Sequence, residues 1–295
     1  MKKIIVILGP TASGKTDLSI KLAKKFGGEV VSADSRQVYK GMDIGTGKVT
    51  KKEMEGIPHY LLDVVSPKTR FTVSQYQKLA LKVVEKIFKK NRVPFLVGGT
   101  GFYIQAVTEG IIIPAVKPDW KLREKLEKKP VSELYEKLVK LDPKRATNID
   151  KNNPRRIIRA LEIVLKSKGP VPPLSPQKPQ FEALILGVKK DRKELKKLIE
   201  KRLLKRLKKG MINEIKNLHK VGVSWKRLEE FGLEYRFVAQ YLQGKLNYDE
   251  MVSRLQKEIE HYAKRQITWF KRNKRIKWVK KYSQAERLVK SFLKR

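Results

Sequence analysis

Gly9-Pro-Thr-Ala-Ser-Gly14-Lys15-Thr16 is a run in which nearly every residue type suits the holding of phosphate. Its glycines let the backbone turn N–H groups inward around anionic oxygens, and a helix starting beside Lys15 adds the positive end of its dipole. Lys15 supplies a point charge, and the Thr16 hydroxyl can face a Mg²⁺ ion shared with the phosphate. The signature G-x-x-x-x-G-K-T carries weight only between a buried strand and a helix. Here Lys3-Ile-Ile-Val-Ile-Leu8 precedes it, an apolar β-branched run suited to a strand covered on both faces. Leu18, Leu22 and Phe26 follow at helical spacing, with Gly27-Gly28 to end the helix. A Gly-rich turn with no ligand is the bland alternative, and it explains neither the spacing nor the setting. Gly9, Pro10, Thr11, Ala12, Ser13, Gly14, Lys15 and Thr16 are therefore expected to bind a polyphosphate, with Thr16 on the metal side.

The elements that must position this loop can be read in order. Glu29-Val-Val-Ser-Ala-Asp34-Ser-Arg-Gln37 predicts a second strand with polar residues at its carboxyl end. Ligands of open α/β sheets gather at that edge, which places Asp34 near the phosphates. A Gly-rich loop, Val38 to Gly47, and a short strand, Tyr60 to Val65, come next. Thr72 and Gln75 form a capping box for a helix from about Ser74 to Lys90. Pro94 to Val97 is a further strand, and it delivers Gly98-Gly-Thr100-Gly-Phe-Tyr103 to the same edge. Strand-to-loop junctions repeated in this way predict an α/β fold with a parallel sheet.

Beyond Ile113 the pattern turns helical. Stretches at 117–129 and 131–141 carry many charges, and Asn153 to Leu165 forms a third helix opened by Pro154, with Ile157, Leu161, Val164 and Leu165 as its apolar face. Gly169 to Gln180 is proline-rich and reads as a stiff linker. A sheet-like strand returns only at Ala183 to Val188. The expected organisation is a discontinuous core, residues 1–115 and 183–295, with a helical insertion at 116–182. The last third is helical: Asp191 with Glu194 in the box position opens one helix, Phe231 to Arg236 reads as a loop, and a long helix runs from Asp249 to Phe270. A last strand is expected at Ile276 to Val279.

Charge narrows the partners. Lys and Arg number 69 against 30 acidic residues among 295, a net charge of +39 with pI near 10.2. Ordinary solvated surfaces mix both signs, so an excess this large points to nucleic acid or an anionic membrane. No cysteine is present, which excludes disulfides, thiol nucleophiles and Cys-ligated zinc. With only three histidines, a His-built metal centre is not expected either. No apolar run is long enough for a signal peptide or a membrane span, so the expectation is a soluble cytoplasmic protein.

Taken together, five motifs decide among P-loop functions. Gly9 to Thr16, Ser32-Ala-Asp-Ser-Arg-Gln-Val-Tyr-Lys-Gly-Met-Asp-Ile-Gly-Thr46, Val97 to Tyr103, Arg156-Ile-Ile-Arg-Ala-Leu-Glu162 and Tyr262-Ala-Lys-Arg-Gln-Ile-Thr-Trp-Phe270 occur in order over residues 3 to 272. The set resembles the tRNA dimethylallyltransferases, which prenylate N6 of adenosine 37 beside the anticodon. The resemblance implies a P-loop that holds the diphosphate of dimethylallyl diphosphate with Mg²⁺, rather than a nucleotide to be hydrolysed. It implies Asp34 as general base and Lys15, Thr100 and Arg236 as further catalytic residues, with Thr11 near the reacting adenosine. The tRNA contacts it implies are Asp34, Ser35, Arg36, Gln37, Thr100, Arg123, then Arg155, Arg156, Ile157, Ile158 and Arg159, then Lys264, Arg265, Gln266, Thr268 and Trp269. Gly232-Leu-Glu-Tyr-Arg236 departs from the family's Gly-Tyr-Arg/Lys spacing. The lack of cysteine matches the bacterial type without a zinc finger.

Bland readings stand beside these. Asp34 could be a metal ligand or a helix cap, Thr100 a turn residue, the arginines a solvated face, and Trp269 and Phe270 core. A small-molecule kinase and an adenylate prenyltransferase acting on free nucleotide are the rival activities. The basic helices favour RNA over either. The expected partners are tRNA and dimethylallyl diphosphate, with no membrane and no obligate protein partner, the chain acting as a monomer.

Overall fold

A computed structural model describes residues 1–172 and 180–294 of the chain. It divides into one unit formed by Met1–Gly110 and Lys178–Arg295 and a second formed by Ile111–Gln177.

The larger unit is built on six parallel strands in the order β3-β2-β4-β1-β5-β6. They are β1 (Lys3–Leu8), β2 (Gly28–Ser32), β3 (His59–Tyr60), β4 (Val93–Gly98), β5 (Glu182–Val188) and β6 (Lys277–Val279). Alternation along β1 explains why the sheet must be covered twice. Ile4, Val6 and Leu8 point to one apolar cluster, while Ile5 and Ile7 point to another. The first face is covered by α2 (Val73–Lys89) and α3 (Gly101–Thr108), through Tyr76, Ala80, Val84, Ile87, Ile104 and Val107. The second is covered by α1 (Lys15–Lys25) and α13 (Tyr282–Lys294), through Leu22, Ala23, Ala285 and Val289. The fold is thus α/β with a P-loop NTPase-like parallel sheet.

Five further helices wrap the loop after β2: α8 (Arg192–Lys208), α9 (Met211–Lys220), α10 (Trp225–Phe231), α11 (Leu233–Leu242) and α12 (Tyr248–Lys271). They bury Val38, Tyr39 and Met42 of that loop in a core of their own. The smaller unit holds α4 (Trp120–Glu127), α5 (Val131–Leu141), α6 (Pro143–Thr147) and α7 (Pro154–Ser167) around Leu126, Leu134, Leu138, Ile157 and Leu161.

Several local readings change. The strand expected over Tyr60 to Val65 is only His59–Tyr60, because Leu61 and Asp63 take positive φ (62° and 56°) and leave the extended region. Val65 keeps a single bridge to Tyr39. Thr72 and Gln75 do make their capping box, but Asp191 caps Lys193 while Glu194 pairs with Lys190 at 2.6 Å. The segment read as a loop, Phe231 to Arg236, is the junction of α10 and α11, hinged at Gly232 with φ 75° and ψ −175°. On α7, Leu165 is exposed and Ile158, Ala160 and Ile163 complete the apolar face instead. Residues 173–179 of the proline-rich linker lie outside the described residues.

Candidate active site at the sheet edge

The carboxyl edge of β1, β2 and β4 brings three loops together. The first, Gly9 to Lys15, needs Gly14 because its φ is +83°. The second follows β2: Asp34 Oδ1 accepts the N–H groups of Arg36 (2.8 Å) and Gln37 (3.4 Å), fixing the turn. No protein donor meets Asp34 Oδ2 among the described residues. The third follows β4, where Gly98 runs so close to the second loop that an added Cβ would lie 2.1 Å from Ala33 O. Thr100 joins the second and third. Its N–H donates to Ala33 O at 3.1 Å and its Oγ1 accepts the Ser35 N–H at 3.0 Å, which leaves the hydroxyl proton free to donate.

One cavity runs between these loops and the helical layer, lined by Lys15, Thr16, Asp34, Arg36, Gln37 and residues of α8, α11 and α12. From α8 come Arg202 and Arg206, which the sequence reading did not single out. Arg206 donates to Gly45 O (2.9 Å) and Glu234 Oε1 (2.7 Å), and Arg202 reaches Gly47 O at 3.4 Å. A signal for both existed. Leu195, Ile199 and Leu203 form the buried stripe of α8, and Arg202 and Arg206 continue it where further apolar residues would fall. Such positions are costly for charge unless it faces something.

Electrostatics follow from this crowding. Burial, with Arg202 adding to it, brings the Lys15 ammonium down to about 8 although Asp34 pulls the other way. Burial and Arg206 likewise bring Arg202 down to about 10. Lys15, Arg36, Arg202 and Arg206 face Asp34 and Glu234, so the cavity carries an excess of positive charge. Lys15 Nζ meanwhile donates to Pro10 O at 3.3 Å, folded back over its own loop. Phe231, Leu233 and Ile259 give the same cavity an apolar wall.

The other sequence-predicted residues separate into groups. Arg36 lines the cavity, with Nε on Phe231 O at 2.8 Å, and Gln37 donates to Gly47 O at 3.3 Å. Gln266, expected at the RNA, lies beneath the P-loop: its Oε1 accepts the Thr11 N–H and its Nε2 donates to Gly99 O, both at 2.8 Å. Trp269 packs on Gly101, where an added Cβ would lie 2.3 Å from the indole. Lys264, Arg265 and Thr268 are exposed on α12. Arg236 lies outside the cavity wall and donates to Glu229 O at 3.2 Å, because α11 begins at Leu233, after the Gly232 cap, and presents Leu233, Glu234 and Tyr235 inward. Ser13 Oγ is buried and meets no partner among the described residues.

In the smaller unit, Ile157 and Ile158 are core residues and cannot reach RNA by their side chains, whereas Arg155 and Arg156 are exposed. Arg123 and Arg159 converge on Glu162, which is fully buried. Arg123 donates to it from Nε (2.9 Å) and Nη2 (2.6 Å), Arg159 from Nη1, and the Asp119 N–H at 2.6 Å.

No group of three or more His, Cys, Asp or Glu is placed to hold a metal among the described residues. Thr16 and Asp34 do share the cavity, and one hydroxyl and one carboxylate are a donor set that suits Mg²⁺ bound mainly through phosphates and water. No helix among the described residues is long and apolar enough to cross a membrane.

Comparison with known proteins gives a consistent answer. The family model described as IPP transferase matches residues 37–273. A protein of Syntrophus aciditrophicus named tRNA dimethylallyltransferase 1 is 45% identical over 93% of this chain and 91% of its own. A protein of Acetivibrio thermocellus named tRNA dimethylallyltransferase is 38% identical over 99% and 96%. Among solved structures, the full-length tRNA isopentenylpyrophosphate transferase of Bacillus halodurans superposes with TM-score 0.75 at 35% identity, covering 100% of this chain and 96% of that one. A eukaryotic dimethylallyltransferase described as acting on tRNA superposes with TM-score 0.77 at 30% identity, over 91% and 70% of the two chains.

Proposed function

The chain belongs to the IPP transferase family, and from that premise we infer that it transfers a dimethylallyl group from dimethylallyl diphosphate to N6 of adenosine 37 of tRNA. The observation that carries this reading is one cavity lined by Lys15, Arg202, Arg206 and Asp34, with Thr100 bonded to the turn that carries Asp34.

In the reaction the bond from the allylic carbon to the diphosphate oxygen breaks, and a bond from N6 to that carbon forms. Charge builds on the departing diphosphate, and the P-loop N–H groups, Lys15, Arg202 and Arg206 stabilise it as it develops. Thr16, with Asp34 nearby, would hold Mg²⁺, which supplies further neutralisation of the diphosphate when bound. N6 is conjugated to the purine and must shed a proton as it attacks. Asp34, its Oδ2 without a protein donor among the described residues, takes that proton. Thr100 donates its hydroxyl toward the adenosine while holding the Asp34 turn through Ser35. The apolar wall of Phe231, Leu233 and Ile259 suits the five-carbon group and keeps water from the allylic carbon.

The target base has to leave its stack for N6 to be reached. Arg36 and Gln37 at the cavity and the exposed Lys264 and Arg265 of α12 are the contacts this reading assigns to the RNA in the larger unit, and the exposed Arg155 and Arg156 of α7 are those it assigns in the smaller one. The named relatives support prenyl transfer to tRNA over a small-molecule kinase or a free-nucleotide prenyltransferase. The test is incubation with dimethylallyl diphosphate, Mg²⁺ and unmodified tRNA, followed by mass analysis of nucleosides. A five-carbon gain on adenosine 37 is expected. Modification of AMP with equal efficiency, or phosphoryl transfer from ATP, would replace this reading.

A further inference from the structure

From the last residue of α12 onward the chain carries a feature that the reaction does not use. Residues 271–281 hold seven cations and no acid, all of them exposed. None forms an ion pair among the described residues, and Glu286, the one acidic residue after Glu260, is taken by Lys25. β6 lies inside this stretch at the edge of the sheet, and its Trp278 remains 37% exposed. Trp278 lies across Gly187, whose added Cβ would come within 2.6 Å of the indole.

Edge strands often carry a lysine or two to prevent sheet-to-sheet pairing. That purpose needs neither seven cations over eleven residues nor an open indole beside them. Position argues for a ligand. Trp278 is in register with Gly187, Gly187 with Leu8, and Leu8 with Gly98, so the strip lies at the level of the sheet from which the P-loop departs. At strand spacing, Trp278 is roughly 10 Å from Leu8 across β5. At its other end the strip begins beside Trp269, which packs on Gly101 at the start of α3, with Arg272 5.7 Å from the Trp269 ring. The cations therefore run from the site to the sheet edge without interruption by negative charge.

We propose that residues 271–281 form a second RNA-binding surface, which takes the sugar-phosphate backbone of the tRNA whose base enters the site. The proposal rests on the tRNA reading above. Exposed, unpaired lysine and arginine with an aromatic face beside them suit phosphates and unstacked nucleotides. An anionic membrane fits less well, because the apolar side of the neighbouring α13, through Ala285 and Val289, is spent on the core.

The test is the triple variant Lys274→Gln, Arg275→Gln, Lys277→Gln in the full chain, with tRNA affinity measured across a salt series. A second triple, Lys78→Gln, Lys82→Gln, Lys89→Gln on the exposed side of α2, controls for net charge. The strip variant is expected to lose tenfold or more in affinity near 0.1 M salt, and its log–log slope to become shallower by about 2 to 3. The α2 variant should move much less. Single-turnover prenylation at saturating tRNA and the melting temperature should match the parent for both. Equal slopes for strip variant and parent, or equal losses for the two triples, would overturn the surface. So would binding of the parent to phosphatidylserine–phosphatidylcholine vesicles that tRNA cannot displace. If tRNA binds through the strip but no prenylation occurs, the activity reading fails and the surface stands.

Discussion

At the scale of single residues, Asp34 and Lys15 act on different reactants and can be separated. Asp34→Asn keeps size and the Oδ1 contacts that hold the turn, and removes the base. A loss of about 10²- to 10⁴-fold in kcat is expected, roughly 3 to 5 kcal/mol of transition-state stabilisation, with tRNA affinity and KM little changed. Single-turnover prenylation across a Mg²⁺ titration checks this, since rescue by added Mg²⁺ would make Asp34 a metal ligand instead. Lys15 concerns the diphosphate. Burial beside Arg202 brings it to about 8, so the free enzyme loses that charge as pH rises through 8. An anionic ligand favours the charged form, so binding takes up a proton above that pH. Diphosphate affinity is expected to fall by up to tenfold per pH unit above 8, with proton uptake seen by calorimetry in buffers of different ionisation heat. Lys15→Ala should weaken binding and abolish the uptake, while tRNA affinity stays. For stability the sign is reversed: between about 8 and the ordinary lysine value the unfolded chain binds more protons, so Lys15 makes the fold more stable as pH rises.

At the scale of elements, what sequence could deliver depended on whether a pattern was local. The strand-loop-helix around Gly9 to Thr16, the Thr72 capping box and the stripe of α12 were all legible, because each is fixed by neighbours a few residues away. The inward arginines of α8 and the place of Gln266 were not read. Each sits on an otherwise apolar stripe, Arg202 and Arg206 on either side of Leu203 and Gln266 between Ala263 and Phe270, and meets a partner more than 150 residues away. A polar residue at a stripe position was the available signal, and only the tertiary contact gives it meaning. Arg236 is the converse case: its motif carries an altered spacing, and α11, capped at Gly232, leaves its side chain outside the cavity lining and bonded to Glu229 O. Glu162 on α7 shows the same logic and permits a test. Burial alone would raise its carboxyl, yet the bonds from Arg123, the Asp119 N–H and Arg159 hold it below the ordinary value. Glu162→Ala leaves two guanidinium groups without their shared partner, so a loss on the order of 3 kcal/mol is expected. Glu162→Gln should cost less. Because the folded carboxyl is the stronger acid, this contribution is present above the ordinary glutamate range and fades as pH falls through the folded value. Urea unfolding of parent and variants at neutral pH and at pH 4 checks both the size and the fading.

At the scale of the whole molecule, +39 is an electrostatic quantity that most of the chain shares, and the useful question is which cations spend it on RNA. Composition alone gave the sign of the partner. It could not separate arginines committed inside the fold from those facing solvent. The smaller unit separates them within a single helix. Arg159 donates to buried Glu162 and to Val116 O at 3.0 Å, so its charge is already engaged. Arg155 and Arg156, at the first turn of α7, are exposed and form no ion pair among the described residues. Phosphate contacts contribute to the salt dependence of binding roughly one by one, with a log–log slope of about −0.7 to −0.9 for each. The parent is therefore expected to bind tRNA with a steep negative slope. Arg155→Ala and Arg156→Ala should each flatten it by about 0.7 to 0.9 with no change in melting temperature. Arg159→Ala should do the reverse, lowering the melting temperature because Glu162 loses a donor while leaving the slope near that of the parent. Tight binding at saturating tRNA should hide the first two substitutions from single-turnover rates, since neither residue lies at the reacting atoms. The decisive measurement is the slope of tRNA affinity against salt for the three variants beside their thermal unfolding. If Arg159→Ala flattened the slope as much as Arg155→Ala and melted like the parent, its guanidinium would be a phosphate ligand, and the clamp on Glu162 would have to open when RNA binds.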